Sequence, residues 1–159
     1  MKGASPGRAE LTQPPVALGH PTVMKMFEVA AIALFAVWPF SGGKDFPMTA
    51  DPSVPAASGT VHVQKDKENG NTKLDIKVRN LARPSSLNPP ATAYIVWVRP
   101  NGGDAVKEGS IGVDGKNLDG ELHVVTVSKD FDVFITPEQS TTVTTPSSME
   151  VLRTHISIG

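Results

Sequence analysis

Asn69-Gly70-Asn71-Thr72-Lys73-Leu74-Asp75-Ile76-Lys77-Val78-Arg79 is the stretch whose reading decides the fold class. From Leu74 onward apolar and charged residues alternate without a fault. Leu74, Ile76 and Val78 fall on one side and Asp75, Lys77 and Arg79 on the other, the two-residue period of a strand with one buried and one wet face. Asn69-Gly70-Asn71 ahead of it is a tight-turn signal, because Asn and Gly tolerate positive φ. The turn joins this strand to a preceding one at residues 60–65, with Val61 and Val63 on one face.

Working outward, the same alternation and turn chemistry recur to the C-terminus. Residues 93–98 are apolar on both faces, as a central strand covered on both sides requires. Trp97 is expected there as a core anchor. Residues 106–113 contain Gly109 and Gly112 and predict a kinked or bulged strand. Residues 121–127 follow, where Val124-Val125 breaks the alternation and predicts a bulge. Residues 131–136 and 150–158 complete seven strands, the last with Leu152, Ile156 and Ile158 inward. No helical period is sustained after residue 59, and the connections are too short for helical crossovers, so pairing is antiparallel. Residues 59–159 therefore read as an all-β, antiparallel immunoglobulin-like β-sandwich of about seven strands.

The rest of the chain divides around this domain. Residues 29–40 form an uncharged apolar run of twelve. A membrane-spanning helix needs about 20, whereas twelve suits the apolar core of a secretory signal. Met24-Lys25-Met26 precedes it and Ser41-Gly42-Gly43 follows, so residues 24–43 are expected to be a signal peptide cleaved before Lys44. Residues 1–23, with four Pro, read as a disordered leader or as an extension ahead of a start at Met24 or Met26. Residues 44–58 carry Pro47, Pro52 and Pro55 and read as a Pro-rich linker. Lys2, Arg8, Lys25, Glu10 and Glu28 lie ahead of the cleavage point, so the exported chain carries a formal charge of −2 against −1 for the whole. Neither value favours nucleic acid as a partner. Zero Cys excludes disulfides, thiolate metal sites and a lipidated Cys.

Motifs for chemistry are sparse. His62, His123 and His155 each fall opposite the apolar set of their strands and are expected to point to solvent. Without a His-x-His or His-x-x-x-His spacing they predict no metal site. Glu108-Gly109-Ser110-Ile111-Gly112 lacks the first Gly of a nucleophile elbow. Asp114-Gly115-Lys116-Asn117-Leu118-Asp119-Gly120-Glu121 departs from a calcium loop at Lys116 and Leu118, and reads as a turn. Tyr94 and Trp97 must face opposite ways on one strand, so one is expected in the core and the other under a loop or at a ligand. Tyr94, Arg99 and His155 are the residues assigned to a possible ligand or partner surface. No cofactor is expected.

A family pattern follows from the strand order. Tyr94-Ile95-Val96-Trp97-Val98-Arg99-Pro100-Asn101-Gly102-Gly103, followed by Glu108-Gly109-Ser110-Ile111, resembles the extracytoplasmic C-terminal domain of anti-sigma-K-type factors. There a strand of the form Y-x-V-W-L precedes a Gly-rich turn and a second strand carrying x-G-x-hydrophobic. Phe131-Asp132-Val133-Phe134-Ile135-Thr136-Pro137-Glu138 is similar to that domain's hydrophobic-x-V-T-x-E-P segment. The resemblance covers residues 91–158 and implies an extracytoplasmic β-sandwich with no catalytic group. Residues 1–43 offer neither the sigma-binding helical domain nor the spanning helix of such a factor.

The sequence thus predicts a free-standing, exported, non-enzymatic protein of the bacterial cell envelope, periplasmic or extracellular. Its expected partner is an envelope protein or a glycan, with no stable membrane span after signal removal. The alternatives are a regulatory, anti-sigma-like sensor module, or a hydrolase using groups such as Asp130 and Asp132, which flank Phe131 on one strand face.

Overall fold

Alternation with β-branched and aromatic residues sets up a series of short extended segments, and turn residues fold the chain back between them. The computed structural model describes residues 42–159. Its strands are β1 (Lys44–Ala50), β2 (Ser58–Lys65), β3 (Thr72–Arg79), β4 (Ala93–Pro100), β5 (Val106–Ile111), β6 (Gly120–Thr126), β7 (Asp130–Glu138) and β8 (Leu152–Ser157). Each neighbouring pair is antiparallel, in one nearly closed sheet of order β5-β4-β7-β8-β1-β2-β3-β6. The all-β, antiparallel expectation holds. The leader and all but the last two residues of the expected signal peptide lie outside the described residues.

The deciding stretch behaves as its pattern requires. Leu74, Ile76 and Val78 are buried and Lys73, Lys77 and Arg79 exposed. Gly70 takes φ +72 in the turn, and its N–H donates to Asp66 O at 2.9 Å. That turn sets the register of β2 against β3, from Ser58 opposite Arg79 to Lys65 opposite Thr72.

There are eight strands where seven were expected. The additional one, β1, occupies the first half of the stretch expected as a linker. Pro47 hides it from sequence reading, since proline cannot donate to a ladder and normally demotes a strand. The structure accommodates it because β1 pairs with β2 through Lys44 to Met48, and with β8 only at Thr49 and Ala50. Pro47 therefore stands where β1 has a single ladder partner. Phe46, Met48 and Ala50 turn inward at the usual period of two.

The main core gathers inward side chains from every strand but β5's first half, among them Val61, Leu74, Tyr94, Phe131, Leu152 and Ile156. A second, smaller cluster of Ile95, Trp97 and Phe134 lies on the opposite face of β4 and β7, packed with Val143 from the connection after β7. The sequence expectation for Trp97 is corrected here. Tyr94, Val96 and Val98 fill the core and Trp97 faces outward, shielded from water by that connection. Both sides of β4 are dry, which is why it reads as continuously apolar.

Two bulge expectations part ways. Opposite β4, the register of β5 slips by one residue between Gly109 and Lys107, so Glu108 is the extra residue. β6 stays in unbroken register with β3. Val124 is buried while Val125 is 57% exposed, so the second Val of the pair simply faces solvent. β5 ends at Ile111, and Asp114 and Asp119 exchange two backbone hydrogen bonds across the turn into β6.

Candidate functional site

Three neighbouring strands place one outward residue each in a row. Arg99 of β4 stands opposite Asp132 of β7, and Asp132 stands opposite His155 of β8. One rung along, Trp97, Phe134, Arg153 and Thr49 form the next row across β4, β7, β8 and β1. Side chains of both rows other than Trp97, with Glu150 and Thr154, line a cleft of about 370 Å³.

The cleft is built from paired charges over an aromatic floor. The Arg99 guanidinium carbon lies 4.3 Å from the centre of the Phe134 ring, within cation–π range. Its Nη2 is 3.6 Å from Glu150 Oε1. His155 Nδ1 is 2.8 Å from Asp132 Oδ1, and His155 Nε2 is 3.1 Å from Asp130 Oδ1. That Asp130 oxygen is shut off from solvent and has no aligned hydrogen-bond donor, although His155 is close enough for an ion pair. The hydrogen bond to Asp132, with the charges of both carboxylates, raises the His155 pKa above the ordinary histidine value. The two carboxylates beside the ring favour its protonated form, in which Nδ1–H donates to Asp132.

Arg153 also lines an adjoining depression of about 620 Å³, shared with Thr49 and Glu150 and extended by Asp51, Pro52 and Ser148. Among the described residues Arg153 closes no ion pair, and its charge, after the hydrogen bonds from Ser53, helps hold the Asp51 carboxyl below its ordinary pKa.

The flank of this site is fixed by a buried polar chain. Trp97 Nε1–H donates to Thr136 Oγ1 at 2.8 Å, and Thr136 Oγ1–H donates to Glu138 Oε1 at 2.6 Å. The same Glu138 oxygen accepts from Ser147 N–H at 2.8 Å. Glu138 is 6% exposed. It ties the Thr/Ser/Pro-rich connection across the outer face of β4 and β7.

Of the three residues assigned to a ligand surface, the structure brings Arg99 and His155 together and places Tyr94 apart from them. Tyr94 is fully buried, its hydroxyl donates to Ala82 O at 2.7 Å, and burial pushes its pKa up to about 12. It belongs to the core, and it also lines a separate hollow of about 550 Å³ shared with Arg83 and Thr92, which neither Arg99 nor His155 reaches. The sequence reading missed Arg153 and Glu150. Arg153 sits one position from inward Leu152 and two from His155, so the same alternation marks it as outward.

A second charged row crosses the other half of the sheet. Asp45, His62, Asp75 and His123 stand opposite one another in turn across β1, β2, β3 and β6. His62 pairs with Asp45 at 2.5 Å and His123 with Asp75 at 2.6 Å. The hydrogen bond to Asp75 raises the His123 pKa. β3 stands between the strands of His62 and His123, and each of the two histidines engages a carboxylate. Among the described residues no three His, Cys, Asp or Glu side chains are grouped to hold a metal ion. The Asp114–Asp119 segment is a closed turn, as expected.

Fold and site together define a small all-β protein with a charged cleft carried on strands. No family model matches the chain, and neither does any curated protein. Among the described residues no helix is long and apolar enough to cross a membrane.

Proposed function

We propose that this chain is an exported, non-enzymatic β-sandwich protein of immunoglobulin-like type that binds an envelope protein or glycan through the cleft around Arg99, Arg153 and His155. The observation that carries the reading is the convergence at one hollow of those three side chains and Asp132, on neighbouring strands, with Glu150 from the connection ahead of β8. Fixed donors and acceptors over an apolar floor suit recognition of a polar ligand. Arg153 supplies a planar fork of donors for a carboxylate or a sugar hydroxyl pair. His155, held between two carboxylates, has no ring lone pair to offer as a base when it is charged, which weighs for binding over hydrolysis. Export rests on the apolar run at residues 29–40 and the small residues after it, and the envelope setting on the anti-sigma-K-type resemblance.

The test is capture from bacterial envelope extract, with the native chain and an Arg99→Ala/Arg153→Ala chain side by side. A protein or glycan retained by the first and lost from the second supports the proposal. Equal retention by both, or none by either, removes the cleft from it. N-terminal sequencing of the exported form, expected to begin near Lys44, tests localisation separately; an intact Met1 chain in the cytoplasm overturns it.

A further inference from the structure

The cleft around Arg99 and His155 continues past Arg153. The two hollows share Thr49, Glu150 and Arg153, so they run together as one trough over the start of β8 and the end of β1. His155 lines only the first hollow and Asp51 only the second.

The carboxylates of the trough each have a donor of their own. Asp132 accepts from His155 Nδ1–H at 2.8 Å, Glu150 lies 3.6 Å from Arg99, and Asp51 accepts from Ser53 N–H at 2.9 Å. Arg153 is the exception among the charged groups here. It is exposed, and its charge reaches Asp51 without an ion pair closing between them. Hydroxyls surround it. Thr49 stands directly opposite Arg153 in the β1–β8 register, Thr154 follows it in the chain, and Ser148 lines the second hollow. None of these three hydroxyls takes part in a hydrogen bond among the described residues.

The backbone beneath contributes little to recognition. β7 lies between β4 and β8, and β8 between β7 and β1, so their N–H and C=O groups are taken up in ladders on both sides. A peptide therefore finds no strand edge to extend on this face. What the trough offers is one guanidinium fork set among free hydroxyls.

We infer that the trough binds an acidic sugar, a uronate-type residue of a glycan, with its carboxylate on Arg153 and its ring hydroxyls among Thr49, Thr154 and Ser148. This rests on the cleft being the ligand surface, and it narrows the ligand to one class. A guanidinium meets a carboxylate through two parallel N–H···O bonds. One cation without a contact partner matches one negative charge. A phosphate dianion would bring a second charge beside Glu150 and Asp51, which line the same hollow. Those two carboxylates can accept hydrogen bonds from sugar hydroxyls, so the hydroxyls of a uronate find both donors and acceptors around them.

The test uses the full chain and two pairs of probes, methyl glucuronide against methyl glucoside and methyl galacturonide against methyl galactoside. Within each pair only a carboxylate replaces a hydroxymethyl group. In NMR titrations at low ionic strength, at least one uronide is expected to shift the amide signals of Thr49, Arg153 and Thr154 and to bind roughly tenfold or more tightly than its neutral partner. Arg153→Ala is expected to abolish that preference with the circular dichroism spectrum unchanged, and Arg83→Ala, on the separate hollow, to keep it. Neutral glycosides bound as tightly as the uronides, no binding of either uronide, or a preference that survives Arg153→Ala each overturns the inference. Equal binding of N-acetylglutamic acid amide or of inorganic phosphate overturns it too, by showing that charge alone is read. The envelope capture experiment separates this failure from that of the cleft. A partner held by the native chain and lost from Arg99→Ala/Arg153→Ala, with no uronide preference, removes this inference and keeps the cleft as the ligand surface. Absence of both capture and uronide preference removes the two together.

Discussion

His155 shows how far a single side chain depends on pairing that no sequence pattern reveals. Alternation along β8 correctly turns it away from Ile156 and the core, but only the register of β7 against β8 sets it between Asp130 and Asp132. Its proton is bound more tightly in the folded chain than in the unfolded one. The stabilisation this brings is complete below the ordinary histidine pKa of about 6.5 and is lost as pH rises through the higher folded value. NMR titration of the His155 ring is expected to give a midpoint above that ordinary value, and Asp132→Asn to bring it down. A midpoint indifferent to Asp132→Asn would mean that the hydrogen bond does not set it. Tyr94 and Trp97 teach the converse. The sequence requires them to face opposite ways, yet both are aromatic with one polar group, and nothing local says which is inward. Partners distant in sequence decide it: Ala82 O takes the Tyr94 hydroxyl, and Thr136 with Glu138 takes the Trp97 indole.

At the level of elements, legibility follows the strength of the alternation. β3 alternates cleanly and is read correctly; β1 alternates just as well in Phe46, Met48 and Ala50, but Pro47 masks it. The role of β1 has a direct check. Met48 is 8% exposed and packs in the core, so Met48→Ala is expected to cost about 2–5 kcal/mol in urea unfolding. A change near zero would return residues 44–50 to the status of a tether. The turn between β5 and β6 sets a second condition. A Cβ on Gly120 would lie 2.3 Å from Gly112 O, a backbone atom that cannot swing away, whereas a Cβ on Gly112 would meet nothing nearer than Asp114 Oδ2 at 4.0 Å. Gly120→Ala is therefore expected to destabilise by roughly 1–3 kcal/mol, and Gly112→Ala to stay within about 0.5 kcal/mol of the native chain. Equal effects from the two would mean that close approach is not why Gly120 is needed.

Over the whole molecule, the described residues are held by one core to which all eight strands contribute, and by no covalent cross-link. β1 makes the sheet continuous, since its first five residues pair with β2 and its last two with β8. Strands on either side of it share the cluster that contains Val61, Leu74, Phe131 and Leu152, so neither half keeps its apolar face dry if the other opens. Cooperative loss of both in a single transition is the expected outcome. Trp97 sits outside that cluster, in the smaller one beneath the connection pinned by Glu138, and so reports independently on whether the cover opens first. With Trp38 replaced by Phe, fluorescence then comes from Trp97 alone. Because Glu138 holds Ser147 and Thr136 together, the fluorescence and far-ultraviolet circular dichroism transitions in urea are expected to coincide. A fluorescence change at lower urea, preceding loss of the sheet, would mean that the cover is a separate unit. The cleft, whose floor Phe134 belongs to the same small cluster, would then be bordered by a movable segment in place of a fixed one.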